Sequence, residues 1–171
     1  MAKGIFIAEN MASTTVGSLL RSAVQDANIE NGSVVVLENL VDGEDALYEA
    51  GAVANIKDTI YFVDGVELDA SEEIIKGLDD FENVAGKPFR VRKPLVGDIF
   101  SISESMITPL NASTGVVKGN LVETVANGAT KIKEKASTFT ENVSFGGVIL
   151  AKWTFGTRAI PMVRIEVTKV V

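Results

Sequence analysis

The last ten residues constrain the fold most: Met162-Val163-Arg164-Ile165-Glu166-Val167-Thr168-Lys169-Val170-Val171. Positions 163, 165 and 167 are apolar, and 164, 166 and 168 are polar. A period of two is that of a strand with one face buried and one wet. Val, Ile and Thr make up 48 of the 171 residues, and β-branched side chains fit pleated surfaces better than helices. The pairs Asn31-Gly32, Asp42-Gly43, Asp64-Gly65 and Asn127-Gly128 punctuate the chain. Such pairs tolerate the positive φ of tight turns. The expected fold is mainly β, a β-barrel or β-sandwich-like arrangement of short strands.

Further strands are expected at residues 3–8, 33–37, 59–63, 89–92 and 99–103, then at 121–125 and 148–155. The run Ser33-Val34-Val35-Val36-Leu37 is apolar enough for a strand buried on both faces. Residues 12–28 stay open between helix and strand, because Leu19, Leu20, Ala23 and Val24 have helical spacing while Thr14-Thr15-Val16 favours an extended path. Residues 40–51 read as an acidic, turn-rich stretch and Lys131 to Lys135 as a polar one. One short helix is predicted over 71–81: Ser71 can cap, Glu72 and Glu73 sit in the first turn, and Ile74, Ile75, Leu78 and Phe81 share a face. One domain over 1–171 suits this length. A weak division is a 1–87 N-terminal α+β lobe followed by an 88–171 C-terminal β-barrel, since Lys87, Arg90, Arg92 and Lys93 follow an acidic middle.

Composition narrows the chemistry. The chain has no cysteine and no histidine. Thiol nucleophiles, disulfides, Cys/His zinc sites, Ser-His-Asp triads and imidazole acid–base catalysis are therefore excluded. A net charge of −7 argues against a nucleic-acid partner, which needs clustered Lys and Arg. No stretch approaches the roughly 20 apolar residues of a membrane span, and residues 1–9 do not read as a secretory signal. No membrane contact is expected, and synthesis and retention in the cytoplasm are.

Asp42, Glu44, Asp45 and Glu49 form the densest acidic patch, but their spacing is not that of a calcium loop, and a solvated turn explains them. Asp79-Asp80 with Glu82, or Glu72-Glu73, is a formal carboxylate pair for glycoside hydrolysis. With one Trp and two Tyr the chain is poor in sugar platforms, and a helix surface accounts for both pairs. No phosphate-loop motif is present. The reading is thus a non-enzyme with no catalytic, cofactor or metal residues. Its candidate partner-binding residues are Ile5, Phe6 and Ile7 in an N-terminal strand or arm, Arg90 and Arg92 in a basic strip, and Trp153 and Phe155 on one side of a strand. Each has a structural alternative: an ordinary first strand, the wet face of a strand, and a core anchor.

Two stretches carry a resemblance. One is Ala12-Ser13-Thr14-Thr15-Val16, Leu20-Arg21-Ser22-Ala23, Ile29 to Leu37 and Leu40-Val41-Asp42-Gly43-Glu44. The other is Ala85-Gly86-Lys87-Pro88-Phe89-Arg90-Val91 with Leu95-Val96-Gly97-Asp98-Ile99-Phe100. Over residues 12–44 and 85–100 the chain resembles head decoration (capsid cement) proteins of tailed bacteriophages, encoded beside the major capsid protein. That resemblance implies a structural virion protein on the capsid exterior, made in the host cytoplasm. It implies the major capsid protein as partner and a homotrimer on local three-fold axes. Another virion component, such as a tail or adaptor subunit, and a carbohydrate-binding β module stand as the other readings.

Overall fold

The computed structural model describes residues 2–66 and 79–171, and the fold is mainly β, with 44% of residues in strands. Among the described residues twelve strands form two layers. Five of them close a barrel: β2 (Leu20–Val24), β3 (Val34–Leu40), β4 (Leu47–Gly51), β5 (Tyr61–Val63) and β6 (Phe89–Arg92), in the order β2-β4-β3-β5-β6. The β2–β4 pair is parallel and the other four are antiparallel. The second layer is a seven-stranded sheet. It holds β1 (Phe6–Asn10), β7 (Ile99–Ser103), β8 (Ile107–Thr108), β9 (Leu121–Glu123), β10 (Ile132–Lys135), β11 (Phe145–Phe155) and β12 (Ile160–Val170). Its order is β1-β7-β12-β11-β9-β10-β8.

The closed barrel thus lies between Leu20 and Arg92. The segment 88–171, expected to contain a barrel of its own, supplies β6 to that barrel and six strands to the sheet. The open stretch 12–28 resolves into two single 3-10 turns, Ala12–Thr14 and Gly17–Leu19, followed by β2. Among the described residues the helical elements are those turns and a third, Glu104–Met106. The helix expected at 71–81 lies outside the described residues except at its end, where Asp79 and Asp80 form a turn and Phe81 is buried.

Two walls of the barrel explain its apolar runs. β3 and β5 each present one face to the barrel interior and the other to the sheet. Val35 and Val63 join Ala23, Ile29, Phe89 and Val91 inside the barrel. Val34 and Phe62 point the other way, into the main core with Phe100, Ile102, Phe145, Ile149, Val163 and Ile165 of the sheet. A strand buried on both faces cannot alternate polar with apolar, which is why residues 33–37 read as a continuous run. The middle of the seam is aromatic. Phe6 stacks on Phe62 at 5.7 Å and on Phe100 at 5.3 Å, and Phe145 meets Phe62 edge-on at 5.3 Å.

β11 and β12, eleven residues each, form a hairpin with irregularities at Gly146/Gly147 and Ile149/Ala151. Gly147 permits the first: a Cβ there would meet Ile165 Cγ2 at 2.7 Å and the Glu166 carbonyl at 2.8 Å. Val163, Ile165 and Val167 are buried, as their alternation predicts. At the start of β12 the wet face is covered too, since Ile160 and Met162 are buried on it.

Asp64-Gly65 does not make the tight turn its sequence suggests, and Gly65 is absent from the positive-φ glycines. The chain there is pinned instead. Gly65 N–H donates to Asn31 Oδ1 at 2.8 Å and its carbonyl accepts from Asn31 Nδ2 at 3.0 Å. Asn83 lies so close that a Cβ on Gly65 would sit 1.8 Å from its Oδ1.

Candidate interaction surface

β1, β7, β12 and β11 are consecutive in the sheet, and their side chains facing away from the barrel form a continuous surface. Ile7 lies opposite Ser101, Ser101 opposite Arg164, Met162 opposite both Ser103 and Trp153, and Ile160 opposite Phe155. Residues opposite one another point to the same face. Ile5, Ile160 and Met162 form a buried apolar floor, against which Ile7 and Phe155 pack half-buried. Trp153 stands above it, 38% exposed, its ring edge-on to Phe155 at 5.9 Å and 81°.

A hydrogen-bonded row holds the indole in place. Trp153 Nε1–H donates to Ser101 Oγ at 3.3 Å. Ser101 Oγ–H in turn donates to Glu9 Oε1, and the other Glu9 oxygen pairs with Arg164. An aromatic pair with a fixed polar handle and a neighbouring guanidinium has the composition that dominates binding energy in protein interfaces.

The other residues singled out from sequence are placed differently. Ile5 and Phe6 are buried, Phe6 in the main core. In this chain residues 6–10 are an edge strand paired antiparallel with β7, so only Ile7 of the three reaches the surface. Arg90 and Arg92 are not a solvated strip. Both point at Asp64, Arg90 through Nε to its carbonyl at 3.0 Å and Nη2 to Oδ2 at 2.8 Å, and Arg92 through Nε to Oδ2. Arg92 is buried and also donates to Ser13 Oγ at 3.2 Å.

The acidic groups weighed as chemistry are engaged elsewhere. Asp79 and Asp80 both accept from Arg158 Nη1, at 2.6 and 3.2 Å. Glu82 pairs with Lys3 at 2.8 Å. Glu72 and Glu73 lie outside the described residues. Asp42, Glu44 and Asp45 are exposed at the end of the β3–β4 hairpin.

The sequence reading missed a set of carboxylates that tie loops to the sheet. Glu134 is fully buried and accepts from the Leu110 N–H at 2.8 Å, the Val117 N–H at 2.7 Å and Asn120 Nδ2 at 2.7 Å. Glu123 accepts from Thr140 N–H at 2.7 Å, and Asp98 from the N–H groups of Ala12 at 2.9 Å and Leu95 at 2.8 Å. Glu104 accepts from Val116 N–H at 2.8 Å and pairs with Lys152 at 3.0 Å. Buried carboxylates need several donors each, and loop backbone supplies them here. The available signal was Ile132 and Glu134 at two-residue spacing, which puts both on the inward face of β10.

Among the described residues no three acidic side chains are gathered as metal ligands, and no helix is long and apolar enough to cross a membrane. Compared with known protein families, curated proteins and solved structures, the chain matches none.

Proposed function

We propose that this chain is a non-enzymatic structural protein that docks on another protein through the outward face of its seven-stranded sheet. Its setting, on this reading, is the outer surface of a tailed-phage capsid, where it stabilises the shell formed by the major capsid protein. One observation carries the docking: the Trp153–Phe155–Ile7 ledge, a half-open apolar surface with its indole locked by Ser101, Glu9 and Arg164. A solvent-facing Trp held in one orientation loses little freedom on binding, which favours affinity. The carboxylates most deeply buried serve loop anchoring, which suits a rigid module. The resemblance over residues 12–44 and 85–100 supplies the capsid. Those segments build β2, β3 and β6 of the barrel wall and the first two residues of β7.

The mechanism is additive. Each copy contributes one modest contact, and icosahedral symmetry repeats it many times over. A trimer on each local three-fold axis would let one particle bridge three capsomers. An acidic surface suits a place outside the shell, away from packaged DNA.

The test is stoichiometry, by mass spectrometry of gradient-purified particles from the system that encodes the chain. A copy number comparable with the major capsid protein supports decoration. A few copies per particle would assign the chain to a tail or adaptor instead, and absence from the particle overturns the structural reading.

A further inference from the structure

Two asparagines of the chain, Asn31 and Asn127, precede a glycine. An Asn-Gly pair is prone to modify itself, because no side chain on the second residue shields its backbone nitrogen. That nitrogen can attack the asparagine Cγ. A new C–N bond then closes a five-membered succinimide. The side-chain nitrogen leaves as ammonia, taking the proton of the attacking N–H. Water opens the ring at either carbonyl, giving aspartate or, with an extra methylene in the backbone, isoaspartate. Water is the sole co-reactant.

The fold treats the two pairs differently. Asn31 is buried and its side chain is clamped. Its Oδ1 accepts from the Gly65 N–H at 2.8 Å and from Asn83 Nδ2 at 3.0 Å, and its Nδ2 donates to the Gly65 carbonyl at 3.0 Å. Gly32 is buried as well, and its N–H donates to the Val63 carbonyl at 2.9 Å. Bringing Asn31 Cγ to that nitrogen would break these bonds inside the protein. Asn127 and Gly128 are both exposed. Their φ angles are 65° and 79°, the positive values of a tight turn that Asn-Gly adopts readily. Among the described residues the Asn127 side-chain amide makes no hydrogen bond. The attacking nitrogen is held by one bond, from the Gly128 N–H to the Val53 carbonyl at 2.9 Å. Opening an exposed turn costs far less than opening the buried surroundings of Asn31.

We infer that Asn127 is the site of spontaneous deamidation in this chain and that the fold shields Asn31. The site is independent of the docking face. Its consequence is local, because the 127–129 turn ties the sheet to the β4–β5 connection of the barrel. Val53, which holds Gly128, also bridges to Ala129 and is fully buried in the main core. Aspartate at 127 adds one negative charge to a chain already at −7 but keeps the turn, since Asp tolerates positive φ. Isoaspartate lengthens the backbone inside the turn and displaces the Gly128 N–H from Val53.

The experiment ages the folded full chain in mildly alkaline buffer at body temperature and follows it by peptide mapping with mass spectrometry. The same chain in concentrated urea is the reference. In urea both Asn-Gly peptides should gain the mass of an ammonia-for-water exchange at similar rates. In the folded chain the Asn127 peptide should gain it at least about tenfold faster than the Asn31 peptide. Hydrogen exchange at the Gly128 amide should quicken as isoaspartate accumulates. Asn127→Gly keeps the positive φ and lacks the amide, and should age without either change. Equal rates at Asn31 and Asn127 in the folded chain, or modification of neither while urea exposes both, overturns the assignment. Loss of Gly128 protection in aged Asn127→Gly overturns the link between the modification and the turn.

Discussion

Phe62 of the barrel and Phe100 of the sheet lie 4.7 Å apart, ring centre to ring centre, at an interplanar angle of 49°. Both are fully buried. Phe62 also touches Phe6 and Phe145, so one side chain joins β5 to three strands of the other layer. Backbone hydrogen bonds also cross between the layers, from Val34 N–H to the Thr130 carbonyl at 2.9 Å and from Ser144 N–H to the Ile56 carbonyl at 2.7 Å, but the aromatic contacts fill the middle of the seam. Phe62→Ala should lower the free energy of unfolding by about 3–5 kcal/mol, the transfer loss plus the cavity left behind. Phe62→Leu, which refills most of the volume, should recover much of it. Urea unfolding followed by Trp153 fluorescence reads the difference. A Phe62→Ala chain within about 1 kcal/mol of the parent would mean that the seam collapses around the gap and that the aromatic cluster is not its main tie.

Much of the fold was legible where polar residues alternate with apolar ones along a strand, whether or not the polar face meets water. β6, β7 and β12 announce themselves by alternation, and Trp153 and Phe155, two residues apart, were placed on one side correctly. The misses have physical causes. β10 hid because its inward residue is Glu134, so a buried position reads as polar. β4, Leu47–Gly51, hid inside an acidic stretch because Tyr48 and Glu49 fall on different faces. Periodicity assigns faces and not partners. It could show that Ile5 and Phe6 point to opposite sides of β1, but not that both sides are covered. Nor could it bring Asp64 to Arg90 and Arg92, or Glu9 to Arg164, since those meetings depend on strand order.

Glu134 supplies the second prediction. Its two oxygens accept three hydrogen bonds from the 108–120 segment, in a site closed to water. Glu134→Gln keeps the shape but turns one acceptor into a donor, which then faces the N–H groups it used to satisfy. The expected cost is about 2–3 kcal/mol. The loss should be local before it is global. Hydrogen exchange at the Leu110 and Val117 amides should quicken far more than at Val163 or Ile165 in the core. Unchanged protection at both loop amides would show that water replaces the carboxylate without penalty.

A pH dependence follows from Lys3. Its Nζ lies 2.8 Å from Glu82, and the hydrogen bond and charge of Glu82, with a further contribution from Glu30, hold its pKa above the ordinary 10.5. A group whose folded pKa is raised favours the folded state wherever it is protonated in both states. That contribution is complete below the unfolded value and is lost as pH rises through the folded one. Lys3→Gln should therefore be less stable than the parent at neutral pH, and the gap should close only in alkali, above about pH 10.5. Paired urea titrations across that range measure it. A gap that persists unchanged after the amine has deprotonated would show that Lys3 acts through its methylene packing instead.

The last prediction separates docking from folding. Trp153 is more than a third exposed and makes one hydrogen bond, to Ser101 at 3.3 Å. Its floor of Ile5, Ile160 and Met162 is buried and also packed by Ile7 and Phe155. Trp153→Ala should therefore cost the fold little, about 1 kcal/mol. For an exposed aromatic at the centre of an interface the cost in binding is larger, about 2 kcal/mol or more per contact, a fall of about thirtyfold in affinity. Arg164→Ala should release Glu9 and let Ser101 and the indole move, and so weaken binding by less, through lost order and not lost area. On the proposed capsid reading, sedimentation of purified capsids stripped of this chain, with parent or variant added back, reads both at once. Parent-level recovery of Trp153→Ala on the particle would move the contact off the outward sheet face.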